Sequence, residues 1–235
     1  MTEPAAAPRE PDEALVSELS AADESLSSIE DPEAQARAAL DWAAQRFGEG
    51  LAVATSFQDW VLADLARRTS ERLEVVFVDT GGHFPETLAY LEAAVDLLDL
   101  RLRTVSPTPE AVTAWPCGTD GCCAARKVAP LQELLDRRAA WATGLRRAEA
   151  PTRAAARLVA WDASRHLVKV NPLVTWSDGD VAAYEEQRGL PPHPLRAAGY
   201  RSIGCAATTA PVAPGEDARA GRWAGSVKTE CGLHL

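Results

Sequence analysis

The sequence predicts an α/β fold: a parallel, twisted sheet with flanking helices. Three observations carry this. Short apolar runs of strand length recur at 51–54, 73–78 and 100–105. The first two end in polar turns, at 55–59 and 79–83, and a segment of helical periodicity follows each. The 235 residues, 46% of them hydrophobic, are enough to bury a sizeable core. Parallel neighbours need a crossover connection, and strand, turn, helix and strand again supplies one. Ligands of such sheets bind beyond the carboxyl ends of the strands, so both polar turns are candidate site loops.

The elements follow in order. Residues 1–30 are rich in Ala, Pro, Glu and Ser, and they read as an acidic, disordered lead-in. Asp31-Pro32 can open a helix, with Pro in its first turn. Ala36, Ala39, Leu40, Trp42 and Phe47 then recur near helical spacing over 32–47. Leu51 to Ala54 is a short buried strand, followed by a helix through Val61, Leu62, Leu65 and Ala66. A second strand covers 73–78, a helix 87–98 and a third strand 100–105. Helical segments are expected around Cys122 and Cys123 and onward to about Ala140. Leu167 to Val170 reads as a strand, and 176–189 as a helix with Ser177 at its N-cap. From Gly199 the chain turns rich in Gly, Pro and Ala.

Charge is uneven along the chain. The net charge is −10, and residues 1–35 alone hold ten acids and one base. Residues 122–235 hold 16 bases and 11 acids. That basic half suits a small anionic ligand. It has no dense Lys/Arg run with an aromatic platform, so no nucleic-acid partner is expected. No apolar run approaches ~18–20 residues, which argues against a membrane span. The acidic N-terminus lacks the order of a signal peptide, so a cytoplasmic protein is expected. Five cysteines in a reducing compartment read as ligands or nucleophiles rather than disulfides.

Several motifs carry chemistry. Thr55-Ser56-Phe57-Gln58-Asp59 either holds an anion at a helix N-terminus or is an ordinary cap. It lacks the Gly-Lys-Ser/Thr of a P-loop. Asp79-Thr80-Gly81-Gly82-His83 is a strand-end loop whose glycines permit close approach by a ligand. His83 alone reads as a loop histidine. Cys122 and Cys123 are adjacent; two such thiolates can ligate different irons of a cluster, or else are small buried residues. Arg126 and Lys127 follow and would offset negative charge. Arg146, Arg147, Arg153, Arg219 and Arg222 lie where acids are few, and guanidinium groups match phosphate and sulfate oxygens. Cys231 lies between Lys228 and His234, where a cation lowers a thiol pKa while Glu230 opposes it.

Together these segments resemble the thioredoxin-dependent assimilatory adenylyl-sulfate reductases. The resemblance runs from about residue 50 to the end. It rests on Thr55-Ser56-Phe57-Gln58, on Asp79-Thr80-Gly81 with His83-Phe84-Pro85-Glu86-Thr87, and on Cys122-Cys123 with Arg126-Lys127. It continues through Thr143-Gly144-Leu145-Arg146-Arg147, Lys169-Val170-Asn171-Pro172-Leu173 and Ser202-Ile203-Gly204-Cys205. Gly221-Arg222-Trp223 and Lys228-Thr229-Glu230-Cys231-Gly232-Leu233-His234 complete it.

The resemblance implies an adenine-nucleotide-binding fold related to the ATP pyrophosphatases. It implies reduction of adenylyl sulfate to sulfite and AMP, with Cys231 as nucleophile and thioredoxin or a similar dithiol as the partner that releases sulfite. Substrate binding would fall to Ser56, Thr80, Gly81 and Lys127, with Arg146, Arg147, Arg219, Arg222 and His234. Cys122, Cys123 and Cys205 would ligate a [4Fe–4S] cluster. The chain would divide into the 1–30 lead-in, a nucleotide-binding reductase domain over 31–215 with the iron–sulfur site, and a mobile tail over 216–235 that carries the nucleophile.

This chain departs from the family pattern at two places near the cluster. The second ligand segment of the family reads Gly-Cys-x-x-Cys-Thr followed by Arg-Pro. Here Thr208 holds the fourth cysteine position and Ala210 the arginine position. A threonine hydroxyl is hard and does not replace a thiolate on iron, which leaves an incomplete or labile cluster or a substitution by Cys117. Gly82 also stands where family members often carry a bulkier residue. The alternatives are a reductase of the 3′-phosphorylated substrate without a working cluster, or a non-catalytic relative. A sulfur-incorporating pyrophosphatase is disfavoured, because its Ser-Gly-Gly-x-Asp-Ser loop is missing.

Overall fold

The computed structural model describes residues 10–224, 228 and 230–233. The chain begins with α1 (Glu13–Ser27) and α2 (Pro32–Phe47), then β1 (Leu51–Ala54), α3 (Val61–Thr69), β2 (Glu74–Val78), α4 (Pro85–Leu98) and β3 (Leu102–Val105). After α5 (Pro109–Ala114), a wide π-type turn over Ala124–Val128 leads into α6 (Ala129–Leu135). Next come β4 (Ala140–Thr143), β5 (Val159–Asp162), β6 (Leu167–Val170) and α7 (Asp178–Arg188).

The six strands form one sheet in the order β3-β2-β1-β4-β6-β5. Every pairing is parallel except β5 with β6, which is antiparallel. The chain winds outward from β1 through β2 to β3, then returns to lay β4 on the other side of β1. The direction of winding reverses between β1 and β4. In an open sheet that is where loops diverge and leave a crevice at the strand ends. β1 and β4 are short, almost fully buried and rich in Ala and Val, as strands covered on both faces must be.

Three expectations change. The lead-in at 1–30 is not all irregular, because α1 occupies Glu13–Ser27. The Asp12 carboxylate caps it by accepting from the Leu15 N–H at 2.7 Å. Leu19 is buried, and the two Asp23 oxygens accept from the Val159 N–H and the Arg157 guanidinium. The acids read as solvated charge therefore include a cap and a docking group. The helix expected to run to about Ala140 stops at Leu135, and the next apolar residues form β4 instead. β5 escaped the sequence reading, since it is a short edge strand whose partner β6 follows at once.

The other elements match closely. Asp31 accepts from the Ala34 N–H and Pro32 opens α2 as its spacing predicts. Ser177 caps α7 within a reciprocal capping box with Asp180. Among the described residues no helix is long and apolar enough to cross a membrane.

Candidate active site

The crevice at the ends of β1, β2 and β4 is the candidate active site. Ala54, Thr55 and Ser56 line it from β1, Val78 and His83 from β2, and Thr143 and Gly144 from β4. The remaining space is about 140 Å³, because Arg222, Trp223, Cys231 and Leu233 of the C-terminal segment stand inside its rim.

The loop after β1 is shaped by Phe57. Its φ of 53° is left-handed, unusual for a bulky residue, yet the ring is fully buried edge-on to Phe77. Burial of the ring secures that conformation and leaves Ser56 exposed towards the cleft. Gln58 accepts from the Ile203 N–H at 2.8 Å, which ties this loop to the segment before Cys205. The helix that follows has no side-chain cap, and its N-cap residue is Trp60.

The loop after β2 divides between the cleft and the cysteines. His83 lines the cleft and donates through Nε2 to the Val78 carbonyl at 3.0 Å. Burial lowers its pKa, the Val78 hydrogen bond opposes that, and Lys127 lowers it further. Thr80 and Gly81, expected at the substrate, lie on the cysteine side instead. The Thr80 hydroxyl meets Cys205 Sγ at 3.3 Å, its carbonyl accepts from Arg126, and Gly81 packs against the Arg126 guanidinium.

All five cysteines are free thiols. Cys122 and Cys123 open the π-type turn that carries Arg126 and Lys127. Cys123, Cys205, Thr208 and Cys231 line one small cavity together with Lys127 and Arg222. Cys117, on the loop before the pair, interacts with both Cys205 and Cys122. Burial first, then those two neighbours, pushes its thiol up to about 12. The Thr208 hydroxyl donates to the Cys205 carbonyl at 3.4 Å. Among the described residues no group of three His, Cys, Asp or Glu side chains is arranged to hold a metal ion.

Cys231 is drawn into the cleft by its neighbours. The Glu230 carboxylate is buried and receives Arg153 Nε at 2.9 Å, Arg153 Nη2 at 3.0 Å and Arg219 Nη2 at 3.1 Å. Arg165 donates to the Leu233 carbonyl at 3.2 Å. Burial alone would raise the pKa of the Cys231 thiol. Lys127, the backbone at Leu233 and Arg222 outweigh that, and the thiol ends below its ordinary value despite Glu230. Lys228, expected to activate Cys231, interacts first with Cys123 and also, more weakly, with Cys231.

The arginines sort by place. Arg219 and Arg222 line the cleft. Arg222 Nε is buried with no hydrogen-bond partner among the described residues, and the guanidinium lies 4.6 Å from the Trp223 ring. Arg146 is buried in ion pairs with Asp178 and Glu149, and Arg147 donates to the Ala156 carbonyl, so neither lines the cleft. His234 lies outside the described residues. Sequence reasoning missed Arg165 as an anchor of the tail, since nothing in its local segment distinguishes it from a surface charge.

A family profile described as the phosphoadenosine phosphosulfate reductase domain matches residues 50–211. The chain belongs to the phosphoadenosine phosphosulfate reductase family. Adenosine 5′-phosphosulfate reductase of Streptomyces coelicolor is 46% identical over 206 residues, covering 83% of this chain and 86% of that protein. The enzyme of the same name from Mycolicibacterium smegmatis is 42% identical, covering 86% and 89%. A crystal structure of phosphoadenylyl-sulfate reductase from Candida auris, a phosphate complex, superimposes with a TM-score of 0.70 at 23% identity. It covers 86% of this chain and 98% of that one. FMN adenylyltransferase of Candida glabrata, bound to FMN and an ATP analogue, follows at 0.57 and 15% identity, covering 84% and 73%. At those identities the likeness is of fold, and it agrees with the adenine-nucleotide fold expected for this reductase family.

Proposed function

We propose that this chain reduces adenylyl sulfate to sulfite and AMP, with Cys231 as the nucleophile. The observation that carries the reading is the position of Cys231 in the strand-end cleft, where Lys127 and Arg222 overcome the effect of its burial. A thiolate held there is a nucleophile aimed at whatever anion the cleft admits.

The chemistry balances in two steps. The Cys231 thiolate attacks the sulfonyl sulfur, the sulfur–oxygen bond to AMP breaks, and the AMP phosphate leaves with the bonding pair. Cys231 then carries an S-sulfonate. A thiolate of thioredoxin or a similar dithiol attacks the Cys231 sulfur and expels sulfite. Its second thiol resolves the mixed disulfide, so the dithiol supplies two electrons and Cys231 is regenerated. A dithiol of this kind belongs to a reducing, cytoplasmic setting.

Lys127, Arg219 and Arg222, which line the cleft, would bind the sulfate end and the leaving phosphate. Ser56 and Gly144 border the crevice in which the adenylyl part would sit. Small-molecule pockets commonly span ~300–1,000 Å³, more than the present 140 Å³. Binding of the whole nucleotide would therefore need Arg222, Trp223, Cys231 and Leu233 at the rim to shift.

A [4Fe–4S] cluster belongs to this reading. Among the described residues no three side chains converge on a single ion, but a cluster spreads its thiolates over separate irons, so the sulfurs stand apart. Cys122, Cys123 and Cys205 would hold it; Cys123 and Cys205 share a wall with Lys127 and Cys231, and Cys122 directly precedes Cys123 at the start of the same turn. When bound, it supplies a local charge that tunes the electrostatics beside the reacting sulfur.

The test is single turnover. With adenylyl sulfate and no dithiol, the Cys231 peptide should gain a sulfonate by mass spectrometry, and added dithiol should release sulfite. Cys231→Ser should lose sulfite release, by about a thousandfold or more, while keeping nucleotide binding. A Cys231→Ser protein with full turnover rejects the mechanism. Faster turnover of the 3′-phosphorylated nucleotide in a side-by-side assay would reassign the substrate.

A further inference from the structure

We infer that Cys117 is the fourth thiolate of the cluster site, joining Cys122, Cys123 and Cys205 in place of a ligand at Thr208. The inference rests on the cluster-bearing reading above.

Two observations locate the Cys117 sulfur. A Cβ built on Gly82 would lie 2.6 Å from Cys117 Sγ, so the sulfur occupies space that any larger residue at position 82 would fill. The Gly82 carbonyl accepts from the Ala206 N–H at 2.8 Å, so the residue that touches the Cys117 sulfur also holds the turn that begins at Cys205, and Cys117 interacts electrostatically with Cys205 and Cys122. Cys117 therefore faces two of the three thiols already assigned, although five residues separate it from the pair in sequence.

The loop that carries it is held there. Arg126, buried beneath, donates to the Thr80 carbonyl at 2.8 Å and to the Trp115 carbonyl at 3.3 Å. Gly118, with φ near +97°, turns the chain directly onto the Ala207 and Thr208 side chains at 3.6 and 3.7 Å from its Cβ position. The Cys117 loop thus seats on the turn where the ligand is missing. Meanwhile the Thr208 hydroxyl bonds the Cys205 carbonyl and its own carbonyl accepts from Trp223, so Thr208 closes the turn. The glycine at 82, the threonine at 208 and the cysteine at 117 become one arrangement: the first makes room, the second vacates, the third supplies the sulfur.

Anaerobic reconstitution of the full chain with ferrous iron and sulfide tests this, read by iron and sulfide content and by EPR. The protein should take about four irons per chain. Cys117→Ser should lose about a quarter or more of that iron and show a three-iron signal on oxidation. Cys117→Ser combined with Thr208→Cys should regain the original content. Gly82→Ala should also lose iron, since a cysteine sulfur rotates aside more readily than the backbone moves. Wild-type iron and spectrum in Cys117→Ser overturns the assignment. So does iron that is lost in Cys117→Ser and not regained in the double variant, or failure of the unaltered chain to take up iron. Sulfite release from adenylyl sulfate, measured on the same samples, reports on the proposed reaction alone.

Discussion

Glu230 and Arg153 form a buried two-point ion pair, with Arg153 Nε 2.9 Å and Nη2 3.0 Å from the two carboxylate oxygens, one residue before Cys231. Arg153 also contacts Glu149, and Arg219 reaches Glu230 from the other side. The nucleophile is thereby held in the cleft by its neighbour in sequence. Removing one partner of a buried pair leaves the other uncompensated, a cost of roughly 3–5 kcal/mol. Glu230→Gln should therefore slow S-sulfonate formation about tenfold or more. Arg153→Met should do the same, and the double variant should be less impaired than the two effects summed. Single-turnover rates across the cycle measure this; strictly additive effects would show that the pair does not position Cys231.

Lys127 sets the ionisation of Cys231. Burial raises that thiol, but Lys127 is the largest of the effects that bring it below its ordinary value. A lowered pKa means that the thiolate persists to lower pH. The rate of S-sulfonate formation should rise with pH and level off at a lower pH than for an ordinary thiol. In Lys127→Ala the rising limb should move to higher pH. Alkylation of Cys231 by iodoacetamide across pH reads this directly, and an unmoved limb would assign the shift elsewhere.

A buried network away from the cleft supplies a stability test. Tyr184 donates to the Asp64 carboxylate at 2.5 Å, and Arg188 stands 3.5 Å from the same oxygen. Asp64 is buried on α3 and Tyr184 on α7, so the bond joins two helices. Tyr184→Phe removes the donor and should cost about 1–3 kcal/mol. Urea unfolding should show a lower midpoint with an unchanged slope.

Leu19 tests whether α1 belongs to the folded unit. It is buried, and α1 is further tied to the backbone of β5 through Asp23. Leu19→Ala should destabilise by about 2–3 kcal/mol, near the low end for truncating a buried leucine. A loss below about 0.5 kcal/mol would mark α1 as loosely attached, as for an ordinary surface change.

Much of the frame was legible in the sequence, because strand and helix signals are local. Apolar runs, the caps at Asp31 and Ser177, and the polar turns at 55–59 and 79–83 depend on neighbours in the chain. The ordered motifs also told which cysteine stands on the C-terminal segment and which pair lies together. Edges were not legible: β5 depends on pairing with β6, and α1 on a docking site at β5.

What only the tertiary structure decided is which charges and thiols meet. By sequence, Lys228 was the neighbour of Cys231; in space Lys127 and Arg222 are the cations that lower its pKa most, and Lys228 interacts first with Cys123. Arg146 and Arg147 looked like anion ligands; in space Arg146 pairs with Asp178 and Glu149, and Arg147 Nε donates to the Ala156 carbonyl. Cys117 read only as a possible substitute ligand, five residues before the pair; in space Gly82, 35 residues before it, lies against its sulfur, and Cys205, 88 residues after it, is near. Electrostatic and ligand contacts act over a few ångströms of space, and the crossovers of a parallel sheet set those distances independently of separation along the chain.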